Sequence, residues 1–265
     1  MSRLPEQEDE PNAVWHITGR VNWQAWHLER PEAFEMFIEQ LGRALKSFDV
    51  DLLGYVGMSN HYHLAARCPD ENRYRQLTSR RTRCRHIRPW PRGHFKSSVI
   101  AQCMQKFKFN VSRRLQKDLG LSGHLWDGPH HRGRILDASA LVAVVAYDHR
   151  NPVVQKMVLR PEAYTRSSAA WWAGAGLSHL PLATRPDFPF GMDIDDFRER
   201  LNRHQQDKRL DEVMGEFYRS RLRIDSPKGR ALLLALLEAA GLECGSAAAP
   251  VRTQPFASPR VATTK

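Results

Sequence analysis

Two histidines, His61 and His63, stand two residues apart in the run GYVGMSNHYHL. Side chains alternate between faces on an extended strand, so both imidazoles share one side while Tyr62 and Leu64 take the other. Two neutral imidazoles projecting in parallel can share a divalent cation. A bare His-x-His is otherwise an ordinary pair of surface or core histidines, so its surroundings decide. A second group lies in AVVAYDHRNPV, where Tyr147 and Asn151 are four apart and project from one side of a helix. Pro152 disfavours helical geometry at Asn151, which puts its carboxamide at or just past the helix end, free to turn towards a ligand. Without the histidines, the same run reads as a buried tyrosine followed by an Asn-Pro helix stop. Of the six tyrosines, Tyr55 reads as a strand-core residue, Tyr74 falls in a basic loop, and Tyr164 and Tyr218 lie in the C-terminal third.

These side chains need a sheet to carry the histidines and a helix to carry the tyrosine. Residues 14–21 alternate well enough for a strand. Pro31 suits the first turn of a helix that would bury Phe34, Phe37, Ile38, Leu41, Leu45 and Phe48. Residues 51–58 and 61–67 read as two strands joined at Ser59-Asn60, a hairpin. A second helix over 97–119 has the apolar line Ile100, Cys103, Met104, Phe107, Val111 and Leu115, and Gly120 opens the segment that ends it. A strand-like stretch at 133–136 leads to Asp137, an N-cap for a short apolar helix through Tyr147. The order predicts an α+β fold, an antiparallel sheet with helices on one face, over residues 13–175. A helical C-terminal extension follows over 176–241, with helices near 195–222 and 228–240. Residues 1–12 and the Ala-, Pro-, Ser- and Thr-rich tail 242–265 read as disordered.

The chain of 265 residues has 40 Lys and Arg against 29 Asp and Glu, a net charge of +11. A basic balance points towards a polyanion, most often nucleic acid. The distribution says more: residues 72–117 hold fourteen Lys or Arg and no acidic residue, with Tyr74, Trp90 and Phe95 interleaved. Guanidinium groups for phosphates and flat side chains for exposed bases suit single-stranded nucleic acid. Arg80, Arg81, Arg83 and Lys96 in this stretch, and a stripe of Lys106, Arg113 and Lys117 on the second helix, are the DNA-contact candidates. The four cysteines are scattered with no CxxC pair, which speaks against a zinc ribbon or a disulfide framework. No apolar run approaches a membrane span, and the acidic, polar start is unlike a secretory signal, so a cytoplasmic address is expected.

Four blocks then carry a resemblance: WHITGR, GYVGMSNHYHL, GHLWDG and YDHRNPV, in series over residues 13–173, with SSAAWW at the close. The chain resembles the HUH tyrosine transposases, in the REP-associated branch of the IS200-like transposase family. One block alone is weak, and four at family-like spacing are specific. The resemblance implies a ferredoxin-like HUH endonuclease core, with Tyr147 as nucleophile. It further implies that His61 and His63 bind Mg²⁺ or Mn²⁺, and that Asn151 is a candidate third ligand. The implied activity is metal-dependent cleavage and rejoining of single-stranded DNA near hairpins or palindromic repeats through a 5′-phosphotyrosine. Partners would be single-stranded or hairpin DNA, with a homodimer as one arrangement, at the nucleoid.

The chain departs from that pattern in several places. Asp148, His149 and Arg150 stand between the tyrosine and the asparagine, where relatives carry mostly apolar or acidic residues. His149 reads as an exposed helix-end histidine, and His130 and His131 as phosphate or solvent contacts. Phe107 and Phe109 replace aromatic pairs that often include tyrosine, which leaves Tyr147 without a rival on that helix. Residues 72–96 form a longer and more basic insertion than is usual. Two other function classes remain: a domesticated hairpin-DNA-binding protein without transposition activity, and a metal hydrolase using water, for which Asp148 is the one nearby carboxylate.

Overall fold

The computed structural model describes residues 9–22, 27–79, 98–120, 123–184 and 186–242. Four strands, β1 (Val14–Arg20), β2 (Asp51–Gly57), β3 (His61–Arg67) and β4 (His131–Ile135), form one sheet in the order β2-β3-β1-β4. Every pairing is antiparallel. Helix α1 (Pro31–Phe48) joins β1 to β2, and α2 (Glu71–Ser79) and α3 (Val99–Leu119) lie between β3 and β4. With α2 set aside, the order is βαββαβ with the first strand inside the sheet, the ferredoxin-like arrangement. The α+β class expected from the sequence is the class observed.

Alternation along β1 and β3 sorts the sheet into two faces. Trp15, Ile17, Tyr62 and Leu64 are buried against Phe37 and Leu41 of α1 and Met104 and Phe107 of α3. Tyr62 crosses to β1 so closely that a Cβ on Gly19 would lie 2.4 Å from its ring. Only glycine fits opposite that tyrosine, and the register Gly19↔Tyr62 is thereby marked.

The opposite face is covered as well. Helix α4 (Ala138–Val154) lies on β2 and β3, with Val14, Leu53 and Ala65 beneath it. A helix expected to be short and to end at Tyr147 is thus 17 residues long. Residues 140–146 of α4 are buried without a break, so this helix needs cover on its far side too. Helices α6 (Ile194–Gln206), α7 (Arg209–Arg219) and α8 (Pro227–Ala239) supply it with Phe197, Leu201, Met214, Phe217, Leu233 and Leu237. The one-turn α5 (Ala169–Trp172) adds Trp172, whose Nε1 donates to Leu53 O.

Two further expectations change. Residues 71–79 are a helix rather than a basic loop, and Tyr74 on it donates its hydroxyl to Asp9 O. The helix expected over 195–222 is two helices, because the Asp207 carboxylate accepts from the Arg209 backbone N–H and breaks the ladder. Among the described residues, no helix is long and apolar enough to cross a membrane.

Candidate functional site

The strand register builds the site. Arg20 pairs with His61, Thr18 with His63 and with His131, and His16 with Ala65. These residues therefore share the sheet face under α4, away from the Tyr62 side, as the period-two pattern of His61 and His63 predicts. On that face His16 Nε2 and His63 Nδ1 stand 3.3 Å apart, with their rings stacked at 5.4 Å. Asp148 descends from α4 between them, its Oδ1 3.2 Å from His16 Nε2 and 3.1 Å from His63 Nδ1. These three residues could hold a metal ion. His61 is beside the cluster rather than in it, its ring edge-on to His63 at 5.2 Å.

Neither His16 nor Asp148 is a ligand candidate in the sequence. WHITGR shows His16 on the polar side of a strand, but nothing local announces that β1 lies next to β3. Asp148 is 1% exposed, and both its carboxylate oxygens lack a hydrogen bond of good alignment. A buried carboxylate with unspent lone pairs is costly unless a cation or donor meets it. Burial alone would raise the Asp148 carboxyl, but the imidazoles of His16 and His63 outweigh it and hold it well below the usual carboxylate range. The spacing also fits a cation: ligand atoms at right angles about an ion at about 2.1 Å stand about 3.0 Å apart. One carboxylate oxygen with two imidazole nitrogens is a donor set for Mn²⁺ more than for the oxygen-preferring Mg²⁺.

His61 is tuned differently. Burial first, then repulsion from His63 and Arg20, pushes it down to about 4, so it is neutral at physiological pH. Its Nδ1 donates to Asn60 Oδ1 at 2.7 Å, which leaves Nε2 with a bare lone pair.

Helix α4 carries the rest. Tyr147 is rotated by about 100° from Asp148 on the helix and is partly buried, its ring 5.4 Å from that of Tyr218 on α7. Burial, and then the charges of Asp148 and Asp211, raise its phenol above the ordinary value, so it is protonated at neutral pH. Asn151 does not end the helix. Pro152 lacks the N–H that would reach Asp148 O, and the Asn151 amide donates to that carbonyl at 3.4 Å and to Tyr147 O at 3.1 Å. The N–H side of its carboxamide thus faces α4's own backbone.

The intervening triplet is buried throughout, and His149 is not the exposed histidine expected. Its Nδ1 meets Gln205 Oε1 at 2.9 Å and its Nε2 meets Ser168 Oγ at 2.8 Å. Arg150 makes a two-pronged pair with Asp211 of α7 at 2.6 and 2.5 Å and donates to Gln205 O.

Comparisons with known proteins give a narrow result. No family model and no curated protein matches the chain. Among solved structures, it is similar to one described as "Structure of the REP associates tyrosine transposase bound to a REP hairpin". The two share 15% identity and a TM-score of 0.47, over 72% of this chain and 98% of that one.

The basic candidates fall elsewhere. Arg80, Arg81, Arg83 and Lys96 lie outside the described residues. Lys106, Arg113 and Lys117 are exposed on α3, across the sheet from the His16–His63–Asp148 cluster. Lys106 donates to Ser47 Oγ, and the Arg113 guanidinium rests 5.6 Å from the exposed Phe109 ring. On the histidine face, Arg20 and His131 are exposed; sequence reading passes over the first and leaves the second vague. Of the remaining residues, His130 is pushed down to about 4 by burial and by Arg132, Lys108 and His131.

Proposed function

We propose that this chain is a metal-dependent endonuclease and strand transferase for single-stranded DNA, a tyrosine transposase of the HUH type in its REP-associated branch. The observation that supports this reading is the convergence of His16, His63 and Asp148 on one sheet face, with Tyr147 as the next residue on the covering helix. The sequence blocks from WHITGR to YDHRNPV point the same way. In this reading His63, His16 and Asp148 hold a divalent cation with His61 alongside, and Asn151 acts by holding the helix backbone that presents Tyr147 and Asp148.

Chemistry follows from the side chains. The Tyr147 hydroxyl loses its proton and its oxygen attacks the scissile phosphorus. The bond from phosphorus to the 3′ oxygen breaks, leaving a 5′-phosphotyrosine and, once that oxygen takes a proton, a free 3′-hydroxyl. A divalent cation, when bound, makes the phosphorus more electrophilic and offsets charge building on its oxygens. Arg20, opposite His61 in the register, offers a guanidinium to the same phosphate. Because the phosphotyrosine retains the energy of the broken ester, a second 3′-hydroxyl can reverse the step and rejoin strands.

The test is a labelled single strand bearing a hairpin, incubated with the protein and Mn²⁺ and run on a denaturing gel. A protein-linked fragment is expected with the native chain, lost with Tyr147→Phe and reduced at least about 100-fold with His63→Ala, as for groups that stabilise the transition state directly. Cleavage that persists in Tyr147→Phe would replace this reading with hydrolysis by a metal-activated water near Asp148. Binding without cleavage under every metal would favour a hairpin-binding protein.

A further inference from the structure

The ring that touches Tyr147 comes from the C-terminal helical region, which carries no block of the resemblance. Tyr218 of α7 lies with its ring centroid 5.4 Å from that of Tyr147 and its plane tilted by 43°. Ring pairs at this separation and tilt hold one another in orientation. The contact is not a loose surface approach. Arg150 and Asp211 fasten α4 to α7 with two charged hydrogen bonds, and Arg150 also donates to Gln205 O, so the two helices meet at a fixed place. Leu210, Met214 and Phe217 bury the rest of α7 against α4 and α8. Tyr218 nevertheless keeps 39% of its surface exposed, at the rim where α7 reaches the tyrosine of α4.

The charge of Asp148 bears on both phenols, which sets the pair beside the carboxylate that meets His16 and His63. Tyr147 has two side-chain torsions, and a ring packed against it narrows the range they can take.

We infer that Tyr218 is a positioning residue for Tyr147, its ring holding the nucleophile in the cleavage orientation, which makes the C-terminal helices part of the catalytic apparatus. This rests on the reading of Tyr147 as the nucleophile. Tyr218 acts through Tyr147 and forms no bond to DNA itself. Loss of the ring therefore slows the chemical step and leaves substrate affinity alone.

Single-turnover cleavage of the hairpin strand, with Kd measured separately, tests this. Tyr218→Ala is expected to lower the rate constant of bound substrate about 10-fold or more, with Kd within twofold. Tyr218→Phe keeps the ring and is expected to stay within twofold on both. A Tyr218→Ala rate equal to the native rate overturns the inference, as does a loss confined to Kd, which would make Tyr218 a DNA contact. A Tyr218→Phe variant as slow as Tyr218→Ala also overturns it, because the hydroxyl and not the ring would then matter. A protein-linked fragment that survives in Tyr147→Phe and maps to Tyr218 would make Tyr218 a nucleophile. If the native chain forms no linked fragment while Tyr147→Phe matches it, the underlying reading fails instead. A readout independent of activity separates the cases: with 3-fluorotyrosine at position 147, the ¹⁹F signal should shift in Tyr218→Ala and hold in Tyr218→Phe. An unmoved signal in both would show that the rings do not constrain one another. Circular dichroism melts of each variant confirm that the fold is intact.

Discussion

A buried carboxylate between two imidazoles changes what both can do. Asp148 orients His16 and His63 towards one point and carries the negative charge that a divalent cation would meet. If it is a ligand, Asp148→Asn keeps the shape and removes the charge. Calorimetric titration should then show Mn²⁺ affinity weakened at least about tenfold, the lower end of what loss of even an outer partner costs. Asn151→Ala should weaken it far less, since the N–H groups of its amide are spent on the carbonyls of Tyr147 and Asp148. Equal affinities in native and Asp148→Asn protein would remove Asp148 from the site. At this scale the sequence was half legible. His61 and His63 share a face because a strand repeats every two residues, and that needs no tertiary knowledge. His16 is 47 residues from His63, and only the pairing of β1 with β3 joins them. Asp148 was read as a departure from pattern because its neighbours on the sheet could not be seen.

Helix α4 sets how deep those side chains reach. Its Val145 passes so close to β2 that a Cβ on Gly54 would lie 2.7 Å from Val145 Cγ1. A methyl group there must lift the helix or turn the valine, and overpacking of this kind costs about 1–3 kcal/mol. Gly54→Ala is therefore expected to lower the urea midpoint and to weaken Mn²⁺ binding together, by raising Asp148 off the histidines. Adding Val145→Ala should recover most of the binding, since it removes the clashing atoms. Failure of the double variant to recover would mean that the helix height does not govern the site. The start of α4 was readable, because Asp137 accepts from the Ala140 N–H as an N-cap should. Its end was not. Pro152 argues for a stop at Asn151, and the helix passes through because the Asn151 amide takes over the orphaned carbonyl and the buried triplet after Tyr147 is anchored by other elements. Local rules describe the breaker but not the repair.

Among the described residues, two large apolar layers share one sheet. The first layer was legible, since α1 and α3 have clean apolar faces. The second depends on helices far downstream, and the sequence showed them only as unassigned helical stretches. Acid sensitivity is a property at this scale. His130 is pushed down to about 4 in the folded protein, by burial first and then by its neighbours Arg132, Lys108 and His131. His204, buried against the Arg200 carbonyl, is shifted in the same direction. The unfolded chain binds these protons near 6.5, so stability is fully present above that pH and declines as pH falls from 6.5 towards 4. For His130 the loss between pH 7 and pH 5 is about 1–2 kcal/mol. Urea denaturation at the two pH values should show it, with a smaller drop in His130→Gln. A drop of the same size in that variant would assign the acid sensitivity to other groups.

The unbroken burial of residues 140–146 has one more consequence. Most helices have a wet side on which substitutions accumulate without harm, and that side gives them freedom to drift. The helix bearing Tyr147 has none along this stretch, being pressed by the sheet below and by α6 and α7 above. Any change of volume there is transmitted to both layers at once. The exposed edges of the sheet and its helices can vary at little cost, while this one rod is held to nearly fixed dimensions by its neighbours on every side.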